Sequence, residues 1–241
     1  QNDFLEVAER FDVKVEFIVP AAGMGSRLGA HIPKALVPLA GEPILIRTLK
    51  RLSDSAVGWR ACVAIPEEAS RLFENALANL DLHFEVRLYV GGAERQNSVA
   101  NGLKCLAADT DYVVIHDAAR PFVPISCIVD VLDGAEEYGA ATLAIPSADT
   151  ILESDTEGFL INTPDRVRVW ACQTPQVFRA DIIRMAYSRV EEAGKLFTDD
   201  ATLVHSMGQP VKIVAGATQN FKITTPLDLA VAEFLLKEGL C

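Results

Sequence analysis

In Phe17-Ile-Val-Pro-Ala-Ala-Gly-Met-Gly-Ser-Arg-Leu-Gly29, followed by Ile32-Pro33-Lys34, an apolar strand runs directly into a loop of small residues. In an open α/β sheet, ligands bind beyond the carboxyl ends of the strands. Small residues at such an end let the backbone approach a ligand closely, and its N–H groups can hold phosphate oxygens. Arg27 and Lys34 add two positive charges. The stretch therefore predicts a phosphate-binding loop.

Apolar runs of strand length alternate with helix-period segments along the rest of the chain. Near-continuous apolar runs are typical of parallel strands that are buried on both faces. This β-α-β-α order predicts an α/β fold with a three-layer, doubly wound, mostly parallel sheet. The candidate strands are Val15–Pro20, Arg60–Ile65, Phe84–Val90, Tyr112–His116, Ala140–Ile145 and Val211–Ala215. The candidate helices are Pro43–Ser53, Glu67–Leu80, Glu94–Ala107, Ser126–Tyr138, Ala180–Ala193, Asp199–Met207 and Pro226–Lys237.

One stretch, Ala148–Thr174, has no helical period. It contains three short alternating pieces, the last at Arg166–Ala171, separated by turn formers, and we expect a projecting β-arm at about 148–172. Its isolated apolar residues, such as Phe159, need a partner surface, which a second copy of the chain supplies most simply, so we expect a homodimer. A hairpin packed on its own domain is the alternative. The length of 241 residues predicts a single domain over 1–241 that carries this arm.

Composition limits the functional classes. Lys and Arg total 22 against 33 Asp and Glu, a net charge of −11, which argues against a nucleic-acid partner. No apolar run approaches the roughly 18 residues of a membrane span. Half of the residues are hydrophobic, enough for a full core. The five cysteines are widely spaced and form no CxxC, so we expect neither disulfides nor a zinc site, but a reducing cytoplasm.

Three kinds of glycine-rich loop compete for the first stretch. The dinucleotide fingerprint GxGxxG fails because the glycine after Gly23-x-Gly25 is Gly29, and the second strand ends in Ile65 rather than an acid. The Walker motif GxxxxGK[ST] is absent. What remains is GxGxRx followed by Pro-Lys, the pattern of sugar-nucleotide pyrophosphorylases and related nucleotidyltransferases. A strand-to-loop turn whose Arg27 and Lys34 are merely solvated is the alternative interpretation.

Nucleotidyl transfer needs what this loop offers. A phosphate oxygen attacks the α-phosphate of a nucleoside triphosphate, and charge accumulates on the non-bridging oxygens and on the leaving pyrophosphate. Fixed cations at those oxygens stabilise the transition state, and positioning does most of the rest. The attacking phosphate is already anionic, so the chemistry requires no Ser/His/Asp or Cys/His arrangement, and the sequence suggests none.

Other polar residues follow apolar runs. Asp117 ends the run Val113-Val-Ile-His-Asp117, where a metal or ribose contact is expected, although it could instead cap a turn and pair with Arg120. In Gly91-Gly-Ala-Glu-Arg-Gln-Asn-Ser-Val99, the glycines could admit a base and Ser98 could bind it. Asp199 and Asp200 are either functional or complement the dipole of a helix start.

The order of these motifs closely resembles that of the 2-C-methyl-D-erythritol 4-phosphate cytidylyltransferases of the non-mevalonate isoprenoid pathway. The resemblance extends from about Val15 to the C-terminus and departs from the usual pattern at Asn97 and Gln219, where an acid is frequent. The motifs are PAAGMGSRLG, PK, GGAERQNSV, HDAARP, DTI, PDR, QTPQVF, TDDA and NFKITTP. The resemblance implies a Rossmann-like nucleotidyltransferase fold and transfer of the cytidylyl group from CTP to the erythritol phosphate, with Mg²⁺ as the metal.

The resemblance also implies a role for each matching residue. The catalytic residues would be Arg27 and Lys34. The CTP site would be lined by Pro20, Ala21, Ala22, Gly23, Gly25, Gly92, Ala93, Ser98 and Ala118. The sugar phosphate would be held by Asp117, Arg120, Thr150, Arg166, Thr174 and Lys222. Asp117 would also contact the metal, and Thr150 and Arg166 would reach into the neighbouring subunit's site.

Two alternatives to this activity stay open at this point. A ribitol-5-phosphate cytidylyltransferase shares the fold and the loop, but its branch more often carries variants of the HDAARP and TDDA motifs. A non-catalytic nucleotide-binding protein that kept the fold is expected to lose cations from the loop, whereas Arg27, Lys34, Arg166 and Lys222 are all present.

Overall fold

The computed structural model describes residues 13–25, 31–193 and 196–241, and centres on a seven-stranded sheet. Its strands are β1 (Val15–Pro20), β4 (Arg60–Ile65), β5 (Glu85–Val90), β6 (Tyr112–Ile115), β7 (Ala140–Pro146), β10 (Trp170–Arg179) and β11 (Lys212–Ala215). Across the sheet they lie in the order β11-β7-β10-β6-β1-β4-β5. Strand β10 is antiparallel to its neighbours β6 and β7, and the other neighbouring pairs are parallel. The predicted mostly parallel sheet is confirmed.

Helices cover both faces of this sheet. They are α1 (Ile44–Asp54), α2 (Ser70–Leu77), α3 (Arg95–Cys105), α4 (Ile125–Tyr138), α5 (Ala180–Ala193), α6 (Asp200–His205) and α7 (Pro226–Lys237). Because side chains alternate along a strand, Phe17 and Val19 of β1 share a core with α1, α2 and α4, whereas Ile18 shares one with α3, α5 and α6. The three layers are therefore confirmed. The helices that the structure describes all fall short of the length and apolar character that a bilayer crossing demands.

The strand order locates the ligand crevice. The chain passes from β1 to β4 and β5 on one side, then returns to β6 on the other side of β1. Such a reversal opens a crevice beyond the carboxyl ends of the two central strands. The loops after β1, β5 and β6, at 21–25, 91–94 and 116–120, meet at this edge. The sheet thereby brings together three motifs that lie far apart in sequence.

One segment differs from the sequence prediction. Trp170–Arg179 forms a strand of the central sheet, and Arg166–Arg168 is a 3₁₀ turn rather than part of a third arm strand. Proline lacks a donor N–H and is normally excluded from central strands. The sequence pattern therefore does not predict a strand across Pro175. A register shift between Cys172 and Gln176 accommodates Pro175. The arm therefore ends before Trp170 rather than at about residue 172.

The arm leaves the sheet between β7 and β10. Strands β8 (Glu153–Ser154) and β9 (Leu160–Asn162) pair antiparallel in a small sheet of their own. A second small sheet joins β2 (Pro38–Leu39) to β3 (Glu42–Pro43). Phe159, Leu160 and Val167 keep 60–85% of their surface exposed, so the arm buries little of its apolar surface within this chain.

Candidate active site

A cavity of about 420 Å³ lies in the crevice at the carboxyl ends of the strands. Most of the residues predicted from sequence for the site share this cavity. Those that line it are Pro20, Ala21, Ala22, Gly23, Gly25, Lys34, Gly92, Ala93, Ser98, Asp117, Ala118 and Lys222. The structure therefore brings the glycine loop, the second glycine motif and the acid after β6 into one space.

The glycine loop is closed by Lys34. The N–H of Lys34 donates to the carbonyl of Gly23 at 3.0 Å, and Lys34 then begins a 3₁₀ turn. Gly25 has φ +66°, and a Cβ there would lie 2.8 Å from Cβ of Lys34. Gly25 is required for both reasons, since a side chain would strain the backbone and push Lys34 away from the cavity. Arg27, the other predicted catalytic residue, lies outside the described residues.

The second glycine motif, which begins at Gly91, packs closely against the glycine loop. A Cβ on Gly91 would lie 2.6 Å from Cβ of Ala22, so only glycine lets the two loops meet. Oγ of the buried Ser98 accepts from the N–H of Gly92 at 3.0 Å and donates to the carbonyl of Glu94 at 3.2 Å. Ser98 thus fixes the loop itself, and its predicted contact with a base stays a prediction. Asn97 and Glu94 form the capping box of α3.

Asp117 lies at the other end of the cavity among three cations. Its Oδ1 is 3.0 Å from Nε of Arg95, and its Oδ2 is 2.9 Å from Nζ of Lys222 and 3.6 Å from Nε of Arg120. Burial opposes ionisation of Asp117, but the positive charges of Arg95, Lys222 and Arg120 outweigh it and hold its pKa well below the usual range. The carboxyl group is therefore an anion at neutral pH.

Thr174 and His116 fix the backbone of Asp117. The N–H of Asp117 donates to Oγ1 of Thr174 at 3.0 Å, and Oγ1 lies 3.1 Å from Nδ1 of His116. Nε2 of His116 lies 3.0 Å from the carbonyl of Arg120, which can only accept, so Nε2 carries the proton. Thr174 consequently supports the site from behind and does not line the cavity.

Lys222 is held in place by its two neighbours. Ile223 is fully buried and its N–H donates to the carbonyl of Ala119 at 2.9 Å. The ring of Phe221 packs on Phe122 with the centroids 5.9 Å apart. Nη1 of Arg120 donates to the carbonyl of Asn220 at 2.6 Å, which ties the same loop to the end of β6. These contacts keep the Lys222 ammonium at Asp117.

Of the predicted residues that the structure describes, four do not line the cavity of their own chain: Arg120, Thr150, Arg166 and Thr174. Thr150 and Arg166 lie on the arm, and both are exposed. Their predicted contact with a neighbouring subunit's site stays a prediction.

The sequence does not predict a role for Arg95 and leaves that of Asp200 undecided. Arg95 lines the cavity and bridges Asp117 and Asp200, while the adjacent Asp199 is the N-cap of α6 and accepts from the N–H of Thr202 at 2.9 Å. The helix-start interpretation therefore holds for Asp199, whereas Asp200 belongs to the ion-pair network. The position of Arg95, directly after a glycine-rich strand end, was the available signal.

The metal expectation can be tested against the donor atoms. Within the described parts of the chain, no three His, Cys, Asp or Glu side chains cluster in a way that could hold a metal ion. Mg²⁺ is commonly bound by one or two carboxylates together with substrate phosphates. Asp117 is ionised and lines the cavity, and after its ion pairs its two oxygens retain lone pairs. The site therefore fits a metal ion that is held mainly by the substrates.

The cavity has a phosphate-type loop with a lysine at one end and a second cationic cluster at the other. Two phosphorylated substrates can therefore be held side by side, as nucleotidyl transfer requires. The fold and the cavity define a nucleotidyltransferase. Comparison with known proteins then gives the family. The family described as 2-C-methyl-D-erythritol 4-phosphate cytidylyltransferase matches residues 15–238, and the chain belongs to this family.

Individual relatives agree with that family. A protein of Pelotomaculum thermopropionicum with the same name is 44% identical over 93% of this chain and 94% of its own length. The crystal structure of 2-C-methyl-D-erythritol 4-phosphate cytidylyltransferase from Thermus thermophilus has 33% identity and a TM-score of 0.77, covering 94% of this chain and 100% of that one. The 4-diphosphocytidyl-2C-methyl-D-erythritol synthase of Anaerococcus prevotii has a TM-score of 0.84 at 27% identity, covering 93% and 99%.

Proposed function

We propose that the cavity binds CTP beside 2-C-methyl-D-erythritol 4-phosphate and transfers the cytidylyl group to the phosphate of the sugar alcohol. A phosphate oxygen of the sugar alcohol forms a bond to the α-phosphorus of CTP. The bond from that phosphorus to the oxygen bridging to the β-phosphate breaks, and pyrophosphate leaves. The activity is that of the family to which the chain belongs. The observation that carries the assignment of residues is the single cavity shared by the glycine loop and the Asp117 cluster.

The glycine-loop end is proposed to hold CTP. Backbone groups of Pro20–Gly25, Gly92 and Ala93 would contact the base and the triphosphate, and Ser98 and Ala118 would complete this wall. Lys34, with Arg27, would neutralise the charge that grows on the α-phosphate oxygens and on the leaving pyrophosphate. The close contact between Gly91 and Ala22 supports a narrow site, suited to a pyrimidine rather than a purine.

The Asp117 end is proposed to hold the sugar phosphate. Lys222 and Arg120 would attract the phosphate, while Asp117 would accept hydrogen bonds from hydroxyl groups of the sugar alcohol. Thr174 would act through the backbone of Asp117, to which it is bonded. No side chain has to serve as a nucleophile, because the attacking phosphate is an anion at neutral pH.

Mg²⁺ is the metal we propose for this reaction, with Asp117 as the protein group that would contact it. When bound, the ion would neutralise part of the triphosphate charge and stabilise the leaving pyrophosphate. Asp117, kept ionised by its three cations, would supply the carboxylate oxygen, and Arg95 and Lys222 would hold that carboxylate in position.

The arm is proposed to form a homodimer in which Thr150 and Arg166 reach the partner's cavity. The exposed apolar side chains of the arm support this, because a second copy would cover them. We further propose that residues 1–241 form one domain that works in the cytoplasm, where the free state of the five cysteines would persist.

Pyrophosphate release tests the assignment. The protein is assayed with CTP and either 2-C-methyl-D-erythritol 4-phosphate or ribitol 5-phosphate, and then with ATP, GTP and UTP in place of CTP. We expect release with CTP and the erythritol phosphate alone. Faster turnover of ribitol phosphate would contradict the proposed acceptor, and equal turnover of ATP would contradict the proposed base pocket.

A further inference from the structure

Arg95 joins two acids that lie far apart in sequence. Its Nε is 3.0 Å from Oδ1 of Asp117, and its Nη1 is 2.8 Å from Oδ2 of Asp200. Arg95 is the first residue of α3, and Asp200 is the first residue of α6. The guanidinium group therefore links the cavity end of β6 to a helix on one face of the sheet.

Asp200 is itself anchored. It is 1% exposed, and its Oδ1 accepts from the hydroxyl of Tyr187 on α5 at 2.5 Å. The segment just before α6 is also held against α3, because the N–H of Phe197 donates to the Gln96 side chain at 2.8 Å. The Asp200 carboxylate is thus a fixed point, and it determines where the guanidinium group of Arg95 can lie.

We infer that Arg95, held by Asp200 and Tyr187, is a positioning residue that aims Oδ2 of Asp117 at the sugar-phosphate end of the cavity. The inference rests on the proposed role of Asp117. Nη1 of Arg95 is anchored by Asp200 and Nε contacts Oδ1 of Asp117 alone, while Nη2 is buried without a hydrogen-bond partner and does not reach Oδ2. Oδ2 is left for Lys222, for Arg120 and for substrate.

Loss of the Asp200 charge should release this arrangement. An arginine with one acid in reach prefers to bind both carboxylate oxygens in a bidentate pair. Arg95 would then turn Oδ2 of Asp117 away from Lys222. The KM for the erythritol phosphate should rise about tenfold, within the range for residues of one ion-pair network. The KM for CTP should change less, because the glycine loop binds it.

The direction of the KM change in Asp200→Asn distinguishes a positioning role of Asp200 from a purely electrostatic effect of its charge. Removing one negative charge near two anionic substrates would by itself strengthen the binding of both. A charge effect alone therefore predicts a lower KM for CTP and for the erythritol phosphate. Positioning predicts a higher KM for the erythritol phosphate.

The test compares Asp200→Asn with Asp199→Asn, which makes the same chemical change one residue earlier. Asp199 caps α6, and asparagine caps as well as aspartate, so this control should keep the wild-type KM values. Thermal unfolding shows whether each variant folds. If Asp200→Asn does not fold, Arg95→Lys provides the test instead. A lysine keeps the positive charge but cannot bind both acids through two nitrogens, so this variant should raise the KM for the erythritol phosphate about tenfold.

The double variant Asp117→Asn/Asp200→Asn completes the test. If Asp200 acts through Asp117, its substitution adds nothing to the KM for the erythritol phosphate once Asp117 is neutral. A full additional effect in the double variant, a lower KM in Asp200→Asn, or a wild-type KM in Asp200→Asn or Arg95→Lys would overturn the positioning role. A wild-type KM in Asp117→Asn alone would instead refute the proposed role of Asp117.

Discussion

Oγ1 of Thr174 lies 3.1 Å from Nδ1 of His116, and the same oxygen accepts from the N–H of Asp117 at 3.0 Å. Because Nε2 of His116 carries the proton, Nδ1 is an acceptor and the Thr174 hydroxyl must donate to it. A continuous chain of hydrogen bonds thus runs from the Asp117 backbone through Thr174 and His116 to the carbonyl of Arg120. The Thr174 hydroxyl donates to His116 in this way only while His116 is neutral.

We expect the free energy of unfolding to decrease as the pH is lowered, because the buried His116 must then take up a proton. Burial lowers its pKa from 6.5 to about 4, so between these values the unfolded chain binds a proton that the folded chain does not. The stability that depends on neutral His116 is therefore fully present above pH 6.5. It is lost as the pH falls towards 4, and the loss reaches up to about 3 kcal/mol. Urea unfolding at several pH values, with a chelator present, measures it. A slope that persists in His116→Gln would assign the loss to other groups.

Replacing Thr174 by valine should loosen Asp117. The variant keeps the shape of the side chain but leaves the buried N–H of Asp117 without an acceptor, which typically costs about 1–3 kcal/mol. We expect a lower midpoint of urea unfolding and a higher KM for the erythritol phosphate. Thr174→Ser keeps the hydroxyl and should stay near wild type. A Thr174→Val variant that is no worse than Thr174→Ser would show that this hydrogen bond is not what holds Asp117.

Local sequence patterns predict the strands and the loops that follow them. They do not predict which residues of different loops contact each other. Buried parallel strands are continuous apolar runs, so the loops that begin at Ala21 and Gly91 could be placed at strand ends. Strand β10 was hidden because Pro175 and polar neighbours interrupt it. Arg95 and Asp200 are 105 residues apart, and nothing local to either residue indicates that folding pairs them.

Substituting Lys34 by alanine should lower kcat much more than it weakens substrate binding. Losing one preorganised donor to a developing oxyanion typically costs about 10²–10³ in rate. The backbone bond from Lys34 to Gly23 is retained, so the loop should keep its shape. Lys50→Ala, which removes a lysine that pairs with Glu42 outside this cavity, is the control. A near wild-type kcat with a raised KM would place Lys34 in ground-state binding instead.

A methyl group on Gly91 should impair CTP binding, and a second substitution should restore it. The new Cβ would lie 2.6 Å from Cβ of Ala22, so Gly91→Ala must push the two loops apart. Ala22→Gly removes that closest contact. We expect the double variant to recover much of the CTP affinity, measured by calorimetry with CTP alone. Failure of the double variant to improve on Gly91→Ala would mean that the contact with Ala22 is not what excludes a side chain at Gly91.

Arg166 should act on the partner's cavity rather than its own. Its arm exposes apolar side chains, and an isologous dimer would give each cavity the other chain's arm. Lys34→Ala and Arg166→Ala dimers should each be nearly inactive. After equal mixing and exchange, about half of the dimers are mixed, and in each of these one cavity carries both substitutions and the other neither. Roughly a quarter of wild-type activity should therefore return. If Arg166 worked within its own chain, every cavity would keep one substitution, and a mixture that stays inactive after confirmed exchange would end the proposal.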